Sequence, residues 1–249
     1  IELNNKNLGP ADITLIGAWL AISAGAAVTS INCLHNPLGD GVNDIIRVFE
    51  ETPRLRTLCG FEDGVEQIDW SNSRKKPTDV ALLAADLKAG RAAAAVTSMN
   101  CLNNPLGDGV QTIIQVFEET PRLRTLCGLE EGIEKIDWSN SGKGPADVAL
   151  IAADLQAGRA GATVARLTLS GNARATSGKD LTGLKALFEA LLGLRNPISL
   201  DLAYCNFKVA EVNELAQAIQ AGAVVARLSL KGNFPCDRIS RDGDGTAPW

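Results

Sequence analysis

Apolar residues recur along this chain in two alternating patterns. The first is a short frame with the spacing L-x-x-L-x-L, closed three residues later by Asn. It is carried by Val28, Ile31, Cys33 and Asn36, by Val96, Met99, Cys101 and Asn104, by Val164, Leu167, Leu169 and Asn172, and by Val225, Leu228, Leu230 and Asn233. Leu200, Leu202, Cys205 and Asn206 form a looser copy. Val65, Ile68 and Trp70, and Ile133, Ile136 and Trp138, fit its first three positions. Side chains alternate faces along a strand, so the frame predicts short strands whose last two apolar positions enter a core. The Asn is expected to bond backbone where the chain leaves the strand.

The second pattern is helical. Val42, Ile45, Ile46 and Phe49 fall at i, i+3, i+4 and i+7, with Pro53 ending the run. Val80, Leu83, Ala84 and Leu87 repeat the pattern. Pro77 stands where a first helical residue belongs, with Asp79 in the favourable first turn and Gly90 just past the end.

These elements belong to an internal repeat. Residues 28–95 and 96–163 align without a gap as two 68-residue units, identical at most positions. Both carry VFEETPRLRTLCG and IDWSNS. A partial copy occupies 1–27, where IELNNKNLGPAD matches IDWSNSGKGPAD at 136–147. Divergent repeats follow at 164–236, and 237–249 read as a loop or tail. All of 1–249 therefore reads as one domain. The L-x-x-L-x-L-x-x-N frame followed by a full helix resembles leucine-rich-repeat proteins of the ribonuclease-inhibitor-like class. The LCG…IDWS…GPADVALLAADL unit is similar to repeats of large protist and algal leucine-rich-repeat proteins. The resemblance implies an α/β solenoid, with a curved parallel sheet inside and helices outside, and implies a scaffold rather than one particular function.

One segment departs from that regularity. Leu55–Cys59 begins like a strand, but Val65–Ser71 follows too soon for a parallel crossover of a dozen or more residues. A hairpin turning at Phe61–Gly64, with one arm in the main sheet, is the favoured reading for each 68-residue unit. A short extended loop at 55–60 is the alternative.

Composition narrows the function classes. The net charge of −5 disfavours a duplex nucleic-acid binder. With His35 as the sole histidine, His–His metal sites and Ser–His–Asp triads lose their basis. His35 itself reads as an exposed turn residue. The six cysteines contain no C-x-x-C pair and occupy repeat positions, as buried apolar fillers would. They argue against secretion and for an intracellular protein, cytoplasmic or organellar. The DGDG of 242–245 lacks the later ligands of a calcium loop. The apolar stretch 13–28 is short for a membrane span, and no secretory signal opens the chain. A start at Ile1 rather than Met is expected of a processed form or a fragment. No catalytic group, cofactor or metal site is predicted.

Residues between the apolar strand positions are expected on the concave sheet face. The candidates for contacting a protein or peptide partner are Asn32, Asp69, Asn100, Asp137, Arg166, Asp201 and Arg227. Lys135, Ser199 and Thr168 share that face. A non-enzymatic protein-interaction scaffold is the leading expectation. The alternative is a structural subunit that docks through its solenoid ends and helix face. Trp19 and Ile22 are the candidate contacts for that reading. Trp19 stands where later copies hold Asp86 and Asp154, positions read as outer and wetted, so substantial exposure is expected. Trp70 and Trp138 are expected in the core.

Overall fold

The computed structural model describes residues 1–22, 25–173 and 180–233. These form a mixed α/β structure of seven helices and short parallel strands. In chain order the elements are α1 (Pro10–Ala21), α2 (Gly41–Glu51), β1 (Gln67–Asp69), α3 (Pro77–Ala89), β2 (Ser98–Asn100), α4 (Gly109–Glu119) and β3 (Lys135–Asp137). They continue with α5 (Pro145–Ala157), β4 (Arg166–Thr168), α6 (Thr182–Ala190), β5 (Ile198–Asp201), α7 (Val209–Gln220) and β6 (Val225–Ser229). One sheet pairs β1 with β2; the other runs β3-β4-β5-β6. Every pairing is parallel and joins neighbours in sequence. The helices also contact one another in chain order, from α1 on α2 to α6 on α7.

Local sequence accounts for the elements. α3 starts at Pro77, whose missing N–H costs nothing there, and Asp79 Oδ2 accepts the Lys76 N–H at 2.9 Å. It ends at Gly90, which takes the left-handed conformation at φ 58°. In α2, Val42, Ile45 and Phe49 are buried and Ile46 is half-buried. In the strands the central Ile68, Met99, Ile136 and Leu167 are buried between more exposed neighbours, as a period of two demands. Small residues set the helix spacing. A Cβ at Gly41 would lie 2.9 Å from Pro10 Cα, and one at Gly183 would lie 2.1 Å from the Pro145 carbonyl oxygen.

Asparagines stitch successive units together. Asn104 Nδ2 donates to the Trp70 carbonyl at 2.7 Å and to Cys101 at 2.9 Å, while its Oδ1 accepts the Lys75 N–H. Asn36, Asn172 and Asn233 make the corresponding bonds. In the looser copy this place falls to Cys205 rather than Asn206. The Cys205 thiol donates to the Leu169 carbonyl at 3.1 Å, and Asn206 sits one step later at φ 60°.

The segment at 55–71 is not a paired hairpin. A turn closes from Glu62 to Val65, with Gly64 at φ 85°, but its arms form no ladder with each other. Thr57 and Cys59 instead bridge to Ser30 and Asn32. Asp86 explains the difference. Its carboxylate, from α3, accepts the Thr57 hydroxyl at 2.6 Å and the N–H groups of Leu58 and Cys59 at 2.8 and 3.0 Å. Asp154 binds Thr125, Leu126 and Cys127 identically. The arm is held to the following helix, so the extended-loop alternative describes it better.

Candidate functional site

The face residues expected from the sequence fall into separate groups. Asn32 belongs to a bridged segment beside Glu2 and Thr57–Cys59. Asp69 and Asn100 face each other across β1 and β2. Asp137, Arg166, Asp201 and Arg227 share the four-stranded sheet. They do not form one continuous sheet surface.

Register orders the last group into two rows. Lys135, Arg166, Ser199 and Arg227 are successive partners across β3 to β6. Asp137, Thr168, Asp201 and Ser229 form the row beside it. Arg166, Thr168, Ser199, Asp201, Arg227 and Ser229 line a depression of about 270 Å³.

The acidic and amide members of the face also have local work. Asp69 Oδ1 accepts the Ser71 N–H, Asp137 that of Ser139, and Asp201 that of Ala203, at 2.9, 2.9 and 3.0 Å. Each closes an Asx turn as the chain leaves its strand. The bonds from Ser139 hold the Asp137 carboxyl below its ordinary range. Asn32 and Asn100 accept from Leu34 and Leu102 in the same way at 3.3 Å. Arg166 and Arg227 have no such duty; neither forms an ion pair among the described residues.

The helix face differs from the sequence expectation in its cause. Trp19 is 37% exposed and Ile22 56%, as anticipated. Yet Asp86 and Asp154, the counterparts of Trp19, are 1% and 0% exposed rather than wetted. A polar residue on a helix reads as outer unless its buried partners are known. Burial pushes Asp154 up to about 6 and raises Asp86, while the hydrogen bonds they accept pull the other way. The face of α1 is therefore the flank that meets a preceding unit in later copies. Leu15 is 71% exposed there, whereas its counterparts Leu82 and Leu150 are fully buried.

Other sequence expectations divide. Cys33, Cys59, Cys101, Cys127 and Cys205 are buried free thiols; Cys236 lies outside the described residues, as does the DGDG segment. Burial raises Cys33 and Cys101 to about 12. Trp70 is buried but Trp138 only half-buried. His35 is half-buried, not an exposed turn residue. Its N–H donates to Asp79 at 2.6 Å and its ring lies 2.8 Å from Lys75 Nζ.

Two arginines escaped sequence reading because their partners are distant carbonyls. Arg159 Nη1 donates to the carbonyls of Phe117, Thr120 and Leu123, and its guanidinium stacks on Phe117 at 4.4 Å. Arg91 repeats this on Phe49, Thr52 and Leu55. Their recurrence after Gly90 and Gly158 was the available signal.

Among the described residues, no cluster of His, Cys, Asp and Glu has the makings of a metal site, and no helix is long and apolar enough to cross a membrane. No family model matches the chain, and no curated protein matches it.

Proposed function

We propose that this chain is a leucine-rich-repeat solenoid of the ribonuclease-inhibitor-like class, acting as a non-enzymatic scaffold that binds a protein or peptide through its sheet face. The observation that carries the reading is the depression on β4 to β6, where Arg166 and Arg227 are exposed and form no ion pair among the described residues. Chain-order pairing of strands and helices, with Asn side chains tying each unit to the one before, supports the solenoid. An intracellular setting fits the five buried free thiols.

A second reading is favoured by a different observation. Leu15, Trp19 and Ile22 are exposed apolar residues of α1 and its end, whereas Leu82 and Leu150, the repeat counterparts of Leu15, are fully buried. This suits a structural subunit that docks by its end and helix face. Affinity of the native partner separates the two. Arg166→Glu with Arg227→Glu abolishes binding on the scaffold reading and leaves it intact on the docking reading; Trp19→Asp does the reverse.

A further inference from the structure

We infer that the row Lys135, Arg166, Ser199 and Arg227 binds an acidic peptide segment laid across the strands, an inference that rests on the scaffold reading above. Strand register places these residues side by side; burial of Ile136, Leu167 and Leu200 turns Lys135, Arg166 and Ser199 outward, and Arg227 is exposed on β6. Neighbouring strands lie about 4.8 Å apart, so the cations stand about 5 and 10 Å from one another along the row. Like charges at that spacing repel unless an anion lies over them.

Several other basic residues are committed to partners within the chain, and Lys6, Arg74, Lys76, Arg195, Lys208 and Lys231, which form no ion pair among the described residues, lie outside the strands. Arg91, Arg122 and Arg159 donate to helix-end and loop carbonyls. Arg47, Arg56, Lys88, Arg124 and Lys185 face carboxylates. Lys135, Arg166 and Arg227 have no such ion pair among the described residues. The basic row is also absent from the β1–β2 sheet, where the corresponding residues are Gln67 and Ser98. Lys135 in place of Gln67 is one of the 16 differences between the two 68-residue units.

The adjoining row sets the class of ligand. Asp137 and Asp201 lie two residues further along their strands, about 7 Å away. They would repel a continuous phosphate backbone. An extended peptide offers both partners: side-chain carboxylates for the cations, and backbone N–H groups for Asp201, Thr168 and Ser229. The depression between Arg166 and Arg227, with Leu200 and Leu228 in its lining, receives one acidic side chain and its methylenes.

The test uses the full chain and a fluorescein-labelled peptide of alternating Glu and Thr, followed by fluorescence anisotropy. Salt-sensitive binding is expected, weakened at least ten-fold by Arg166→Glu with Arg227→Glu. Lys135→Gln installs a residue the sister unit already tolerates, and is expected to weaken binding about three-fold. The double variant is expected to gain affinity for an alternating Lys and Thr peptide, which a misfolded chain would not do. Arg47→Glu, on α2, is expected to change nothing. Absence of binding, indifference to the Arg166 and Arg227 changes, or preference for a single-stranded RNA of equal charge overturns the inference. Those results leave the scaffold reading standing if the native partner still depends on the sheet face.

Discussion

Replacing Asp154 by Ala removes the acceptor that anchors residues 125–127 to α5. Asp154 accepts the Thr125 hydroxyl at 2.6 Å and the N–H groups of Leu126 and Cys127 at 2.8 and 3.1 Å. Cys127 N–H keeps Thr125 Oγ1 at 3.0 Å, but the Leu126 N–H and the Thr125 hydroxyl lose their acceptor. Each buried donor left without a partner costs about 1–3 kcal/mol, so the change costs about 2–6 kcal/mol. Asn is no substitute. Thr125 Oγ1 already accepts from Cys127 and Leu129, so an amide NH2 there would point a donor at donors.

The loss depends on pH. Burial raises Asp154 to about 6 from an ordinary value of 3.8. The folded chain therefore holds a proton below pH 6 that the unfolded chain has released. That stabilising contribution is complete below about pH 3.8 and is lost as pH rises through about 6. One pH unit below the folded value corresponds to about 1.4 kcal/mol, so Asp154→Ala costs about that much more at pH 5 than at pH 8. Urea unfolding followed by tryptophan fluorescence gives the global cost at both pH values. Hydrogen exchange at the Leu126 amide gives the local one. A cost below about 0.5 kcal/mol, or one larger at pH 8 than at pH 5, refutes the reasoning.

Arg159→Lys keeps the charge but cannot keep the carbonyls of Phe117, Thr120 and Leu123 and the stack on Phe117; a loss of about 2–3 kcal/mol is expected in thermal unfolding, and no loss would show that the guanidinium is dispensable. Gly183→Ala drives a Cβ into the Pro145 carbonyl oxygen; a stability loss of about 1–3 kcal/mol is expected in urea unfolding, and an unchanged midpoint would mean that α6 moves away freely. Leu15→Ala should cost under about 0.5 kcal/mol while Leu150→Ala costs about 2–5 kcal/mol; equal costs by urea unfolding would mean that the α1 flank is already covered.

The regular parts of the fold were legible because their causes are local. Pro77, Asp79 and Gly90 mark both ends of α3 within its own sequence, and the alternation around Ile68 and Ile136 marks the strands. What escaped depends on contacts between units. Asp86 reads as a wet helix residue until Thr57 and Cys59 are placed against it, 27–29 residues away. The same long-range contact holds 57–59 in a single bridged arm where spacing favoured a hairpin. Cys205 displaced Asn206 from the stitching position because the loose frame carried an extra residue before Asn. At the candidate site, Arg166, Asp201 and Arg227 were named from strand alternation alone. The row that joins Arg166 and Arg227 to Lys135 and Ser199, with Asp201 in the row beside it, depends on cross-strand register, which no local pattern encodes. Asn32, Asp69 and Asn100 were drawn to the same list by alternation, but they lie outside the four-stranded sheet and close turns.

The most direct test of the scaffold reading is a photo-crosslinking scan in the native assembly. A photoreactive residue is placed in turn at Ser199 on the sheet face, at Leu15 on the α1 flank, and at Gln156 near the end of α5. The account predicts that a protein partner crosslinks to the Ser199 position, and that Arg166→Glu with Arg227→Glu removes the crosslink. Crosslinks confined to Leu15, with Ser199 silent, would contradict it.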